Sequence, residues 1–139
     1  MAEHIDWLPT LAALLHFAQL PSMFIARRVL DWQGELSRLA PINRQIIRVI
    51  GGGIVVVIIG LGVLVSVLHG RLLENPAGVG LCVFLSIFWA YRGAVQLFVY
   101  VELWPDRQRW AHYALSLLFL VLTSSYALSA LLGWFGVLG

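Results

Sequence analysis

Four long apolar runs, joined by short segments rich in arginine, organise this chain. They extend approximately from Ile5 to Ala26, from Ile46 to His69, from Pro76 to Trp104 and from Trp110 to Trp134. Each approaches or exceeds the roughly 20 helical residues needed to cross a hydrocarbon core about 30 Å thick. Inside a bilayer every backbone N–H and C=O must be paired within the segment, which for isolated runs of this length means helix. The pattern therefore predicts an all-α fold, a four-transmembrane-helix bundle forming a single integral membrane domain over the whole chain. Asp6 reads as a cap with Pro9 in the first turn, and Asn75-Pro76 as a cap followed by the first helical residue. Pro21 predicts a kink near the end of the first span.

The few polar residues inside the runs are periodic. In the third span Cys82, Ser86, Trp89, Gly93, Gln96 and Tyr100 alternate by four and three, with Arg92 at the shoulder of that stripe. The fourth span repeats the spacing in His112, Ser116, Phe119, Thr123, Tyr126 and Ala130. A stripe of that period is the face one membrane helix shows another. The second span has no polar side chain at this level, but Gly60 and Gly62 predict a close approach of its backbone. Between the first two spans, Val29, Trp32, Leu36 and Leu39 recur at helical spacing opposite Arg28, Asp31, Glu35 and Arg38. That predicts a short amphipathic helix lying at the membrane interface, with a protein-docking face as its sharper reading.

Composition narrows the class. Of 139 residues 60% are hydrophobic and only 12% charged, about half the charged share of soluble proteins, which excludes a water-soluble domain. A net charge of +2, with no nucleic-acid-binding module, argues against nucleic acid as a partner. All nine basic residues are arginine, and their placement is lopsided. Arg27, Arg28, Arg38, Arg44 and Arg48 lie between the first two spans, Arg107 and Arg109 between the last two, and only Arg71 on the other side. The positive-inside rule then predicts an N-out/C-out chain, with the interfacial helix in the cytoplasm. Trp7 and Trp134 fit an outer aromatic belt, Trp104 and Trp110 an inner one. Cys82 is the only cysteine, so no intrachain disulfide or paired thiolate site is expected. The acidic "MAEHID" start lacks the positive region of a secretory signal.

Arg92, in "FWAYRGAVQLFVY", is the position that asks for chemistry. It sits towards the middle of its span, where a guanidinium cannot shed its proton and costs about 2.5–3.5 kcal/mol on insertion scales. The acids Glu3, Asp6, Asp31, Glu35, Glu74, Glu102 and Asp106 all fall at or beyond the span ends. No counter-ion is expected at its level, so an acceptor must come from elsewhere. By depth, Gln96, His16 and Thr123 lie near Arg92, Gln19 is shallower, and Tyr100 is expected opposite His112 near the inner rim. Arg92, Gln96, His16, Gln19, Thr123, Tyr100 and His112 therefore form the candidate ligand- or partner-binding set. No catalytic constellation and no metal-ligand set is apparent, and "GGG" at Gly51 to Gly53 opens a span rather than a phosphate loop. His69, His16 and His112 are expected at three different depths, which disfavours haem. A quinone or a bound lipid is the class of small molecule the cluster would accept.

The stretch "VLDWQGELSRLAPINRQIIRVIGGGIV", followed by "FWAYRGAVQLFVY" and a histidine early in the last span, resembles an uncharacterised group of small bacterial four-helix membrane proteins. The resemblance covers most of the chain and departs from the group at "IIRVI", where aromatic residues are usual. It implies topology and a bacterial inner-membrane location, but no reaction. The expected function is a non-enzymatic subunit or accessory protein of a larger inner-membrane complex, in contact with lipids and with other membrane subunits or further copies of itself. The alternative is a quinone- or lipid-binding membrane protein. A small oligomeric transporter or channel comes third, since so short a chain would have to associate to build a pathway.

Overall fold

The computed structural model describes residues 7–68 and 71–138, which are almost wholly helical and contain no strand. The α-helices are α1 (Trp7–Val29), α2 (Trp32–Ser37), α3 (Pro41–Leu68), α4 (Pro76–Ala94) and α5 (Arg109–Leu138). A π-helical turn, Val95–Val99, continues α4, and the short 3-10 turns Val101–Leu103 and Asp106–Gln108 lead into α5. Four stretches, Trp7–Val29, Pro41–Leu68, Pro76–Val99 and Asp106–Gly136, are long and apolar enough to cross a membrane. The chain is an all-α, multi-pass membrane protein.

Element ends follow local chemistry more closely than apolarity. Asn75 caps α4, its side-chain oxygen accepting from the Gly78 N–H at 2.9 Å, with Pro76 as the first helical residue. The helix of the second span starts at Pro41 rather than Ile46, because proline suits the first helical position and the run "INRQ" continues the turn before lipid is reached. Arg44 ties this start to the preceding segment by donating to the carbonyls of Ser37 at 2.8 Å and Leu39 at 3.2 Å. α1 remains helical through Pro21 to Val29. Asp6 and His69, which the sequence cast as a cap and an outer-rim imidazole, lie outside the described residues.

The segment after α1 differs from its expected form. Asp31 takes a left-handed backbone (φ 42°) and its carboxylate accepts from the Gly34 N–H at 3.4 Å. Aspartate is among the few residues that tolerate this conformation. The turn separates Val29, which ends α1, from Trp32 and Leu36 on the six-residue α2, and Leu39 lies beyond the end of α2, so the expected amphipathic face is not carried by one helix. No residue of α2 is buried.

Packing sets a lateral order α4–α5–α1–α3. The α4 and α5 stripes meet, and Cys82, Leu85, Trp89, Phe119, Leu122 and Tyr126 form the core with Ala12 and Ala13 of α1 and Val65 of α3. Small residues mark the closest approaches. A Cβ on Gly133 would stand 2.7 Å from Val79 Cγ2, and one on Gly78 would collide with the carbonyl of Leu72, whose turn folds back over the start of α4. α3 buries only Gly51, Ile58, Gly62 and Val65 and exposes most of its Val and Ile side chains. Gly62 lies beneath the Phe17 ring, but Gly60 faces away, and a Cβ there would meet nothing within 4 Å. One of the two expected glycine contacts therefore forms.

Candidate intramembrane polar site

The α4 helix widens just after Arg92 and Gly93. The Tyr100 N–H bonds to the Val95 carbonyl at 3.1 Å, five residues back, the single-turn bulge that recurs at functional positions in helices. Through it Gln96 is buried while Leu97, Phe98 and Val99 stay exposed. Gln96 Nε2 lies 3.0 Å from His112 Nδ1, both side chains being buried. The carbonyl of His112 accepts from Ser116 Oγ at 2.9 Å, and its ring adjoins Trp104 and Tyr113. Gln96, rather than the expected Tyr100, is the residue that reaches His112. Tyr100 is half-buried nearby.

A second buried pair lies deeper. His16 Nδ1 and the Tyr126 hydroxyl are 2.8 Å apart, joining α1 to α5. Trp89 of α4 stands edge-on to the same imidazole, with ring centroids 4.9 Å apart, and stacks on Phe119 at 5.6 Å. His16, Trp89 and Tyr126 are fully buried, so three helices converge on one imidazole. His16 Nε2, Trp89 Nε1 and Gln19 Oε1 have no protein partner among the described residues. Thr123 bonds into its own helix, donating to the Phe119 carbonyl at 2.8 Å, while its own carbonyl accepts from Ser86 at 3.3 Å. Interhelical hydrogen bonds in membranes contribute about 0.6 kcal/mol on average and about 1.7 at most. Tyr126→Phe is thus expected to lower resistance to unfolding by SDS by about that amount without altering helix content. Unchanged resistance would show that the His16–Tyr126 contact contributes nothing.

Arg92 joins neither pair. Its side chain is half-buried, and the one interaction it makes among the described residues is with the Phe119 ring, Cζ standing 5.5 Å from the centroid. Phe119 is also packed beside Gly93. The guanidinium therefore lies across the helix pair rather than being drawn out to the rim. Arg92 is also less central than expected, because the spanning helix ends at Val99. It stands 16 residues from Pro76 but seven from Val99, roughly 24 Å and 10 Å along the axis. The ion pairs among the described residues are Arg38–Glu35 and Arg109–Asp106, both at the surface.

Of the sequence-derived set, the structure thus pairs Gln96 with His112, joins His16 to Tyr126, buries Gln19 without a partner, and leaves Arg92, Thr123 and Tyr100 outside both pairs. Tyr126 and Trp89 are central here although the sequence marked them only as stripe residues. Their signal was their register: each falls on the inward stripe of its helix. His16 meets α4 at Trp89, and His112 meets the π turn that continues it at Gln96, seven residues further on, or about 10 Å. Among the described residues no group of three or more His, Cys, Asp or Glu could hold a metal ion. No protein-family model matches this chain, and no curated protein or solved structure is significantly similar to it.

Proposed function

We propose that the protein is a non-enzymatic integral subunit of a larger bacterial inner-membrane assembly, and that Arg92 is where a partner subunit meets it. The observation that carries this reading is a half-buried guanidinium inside a span, resting on Phe119 and bonded to no acceptor among the described residues. A cation–π contact, about 0.5–2 kcal/mol, offsets part of the cost of an arginine inside the span, which reaches about 2.5–3.5 kcal/mol at a helix centre and is smaller at Arg92's distance from it. A carboxylate or carbonyl from a neighbouring membrane helix would supply the rest. Beside Arg92, Phe84, Ile87, Tyr91 and Ala94 are all exposed on α4, and Phe98 on the π-helical turn that continues it. They alternate by three and four, the spacing a partner helix packs into.

The quinone-binding alternative is less well supported, since His16 and Gln96, its best headgroup ligands, are already engaged with Tyr126 and His112 inside the bundle. Purification in mild detergent separates the readings. A stoichiometric second membrane protein is expected; a chain that comes down alone with a lipophilic small molecule would transfer the assignment to the alternative.

The same proposal puts both termini outside and the arginine-rich segments in the cytoplasm, with α2 at the interface. Cysteines at Arg38 and Glu74, both exposed, test this in a Cys82→Ala background. Glu74 serves better than its neighbour Asn75, which caps α4. In intact cells an impermeant thiol reagent should label the Glu74 position and spare the Arg38 position. The reverse labelling would invert the orientation.

A further inference from the structure

Where α1 passes into α2 beside the first turns of α3, a cavity of about 690 Å³ opens between Arg27, Arg28, Asp31, Trp32, Arg48 and Gly52. Arg27 is held in place, its Cζ 5.2 Å from the Trp32 ring centroid and its Nη2 reaching over Gly51. None of the three arginines is in an ion pair among the described residues, and the Asp31 carboxylate is turned to the Gly34 N–H. Three arginines against one aspartate leave a local charge of +2. The site also has a membrane level. Arg48 precedes Leu68, the end of α3, by 20 residues, or about 30 Å, one hydrocarbon thickness. Beyond the cavity, the face of α3 that carries Arg48 and Gly52 continues as Val56, Ile59 and Val63, all exposed. Leu36 and Ile47 complete the apolar part of the wall.

We propose that this cavity binds the phosphate-bearing headgroup of an anionic phospholipid, with the acyl chains lying along Val56, Ile59 and Val63. Unpaired guanidiniums bond phosphate oxygens in a planar, two-pronged geometry, and basic pockets between membrane helices suit anionic headgroups. The charge of +2 matches a headgroup with two phosphates, as in cardiolipin, better than one with a single phosphate. The apolar track is what a free phosphate ion would not use. This site is separate from Arg92 and does not depend on the subunit reading.

The test uses the full chain reconstituted in vesicles of phosphatidylethanolamine, phosphatidylglycerol and cardiolipin, followed by native mass spectrometry of the lipids it retains. Cardiolipin should be enriched over phosphatidylglycerol, and added inorganic phosphate should not displace it. Arg48→Gln should weaken retention about fivefold, the equivalent of the ~1 kcal/mol one basic residue contributes at an anionic surface. Gly52→Leu keeps every charge and places its Cβ where nothing lies within 4 Å, so the helix accepts it while the side chain intrudes on the cavity wall beside Arg48; retention should be weakened. Arg38→Gln removes the same charge from the same segment at an arginine paired with Glu35 and should change nothing. Equal loss from Arg38→Gln and Arg48→Gln, full retention in Gly52→Leu, displacement by phosphate, or equal retention of the two anionic lipids would each overturn the proposal.

Discussion

Replacing Arg92 by leucine is expected to leave membrane insertion of the chain intact while stripping it of the protein partner that the proposed subunit role requires. Insertion should become easier, because the charge itself opposes partitioning into the hydrocarbon core. The fold has little to lose: the guanidinium makes no hydrogen bond among the described residues, and a leucine can still lie against Phe119. A partner carboxylate facing the leucine would instead be left buried and unpaired. Breaking one side of a buried pair costs about 3–5 kcal/mol, more than a hundredfold in affinity. Arg92→Lys should recover only part of the binding, since a compact ammonium cannot reproduce the planar fork of donors. Copurification of the parent and both variants at matched expression decides it. Should the leucine variant retain its partner at parental stoichiometry, the subunit reading fails at this residue.

The largest effect on stability is expected from Trp89→Ala. Trp89 is fully buried and touches His16, Phe88 and Phe119 at centroid distances of 4.9, 5.0 and 5.6 Å. Truncating a buried tryptophan costs about 3–5 kcal/mol through lost contacts and the cavity left behind. In a membrane the lost packing dominates, because lipid is as apolar as the protein interior, so the lower end of that range applies. Phe84→Ala, on the outward face of α4 where the ring is mostly exposed, should shift stability by no more than about 0.5 kcal/mol. Unfolding of both variants in SDS, followed by circular dichroism, makes the comparison. Equal losses would mean that the α4–α5 packing is not where stability resides. Phe119 links this prediction to the first, because Trp89 and Arg92 both rest on its ring. Loosening Trp89 should therefore also weaken partner retention, though less than Arg92→Leu does.

Several features were legible along the chain because they are local or periodic. The four spans follow from runs too apolar for water, and the Asn75 cap from a side chain that bonds a backbone group three residues on. The inward stripes of α4 and α5 follow from their alternation by three and four, since a helix buries one narrow face whatever its partner is. Buried Cys82, Trp89 and Gln96 lie on the first stripe, and His112, Phe119 and Tyr126 on the second. What no local rule contains is which stripe meets which, and at what height. The sequence put Tyr100 opposite His112, but the π turn at Val95–Val99 shifts the register, so that Gln96 makes the bond. The spanning helix ends with that turn, short of the expected Trp104, which moves Arg92 towards one end. His16 and Tyr126 stand 110 residues apart in the chain, and only the packing of α1 against α5 joins them. The basic cavity likewise needs Arg27 and Arg28 at the end of one helix to face Arg48 near the start of another. That arrangement follows from the left-handed turn at Asp31, which sets the path between α1 and α3. Period determined what α4 and α5 bury; tertiary structure alone decided what each buried group meets, because register between helices depends on turns whose geometry no periodicity records.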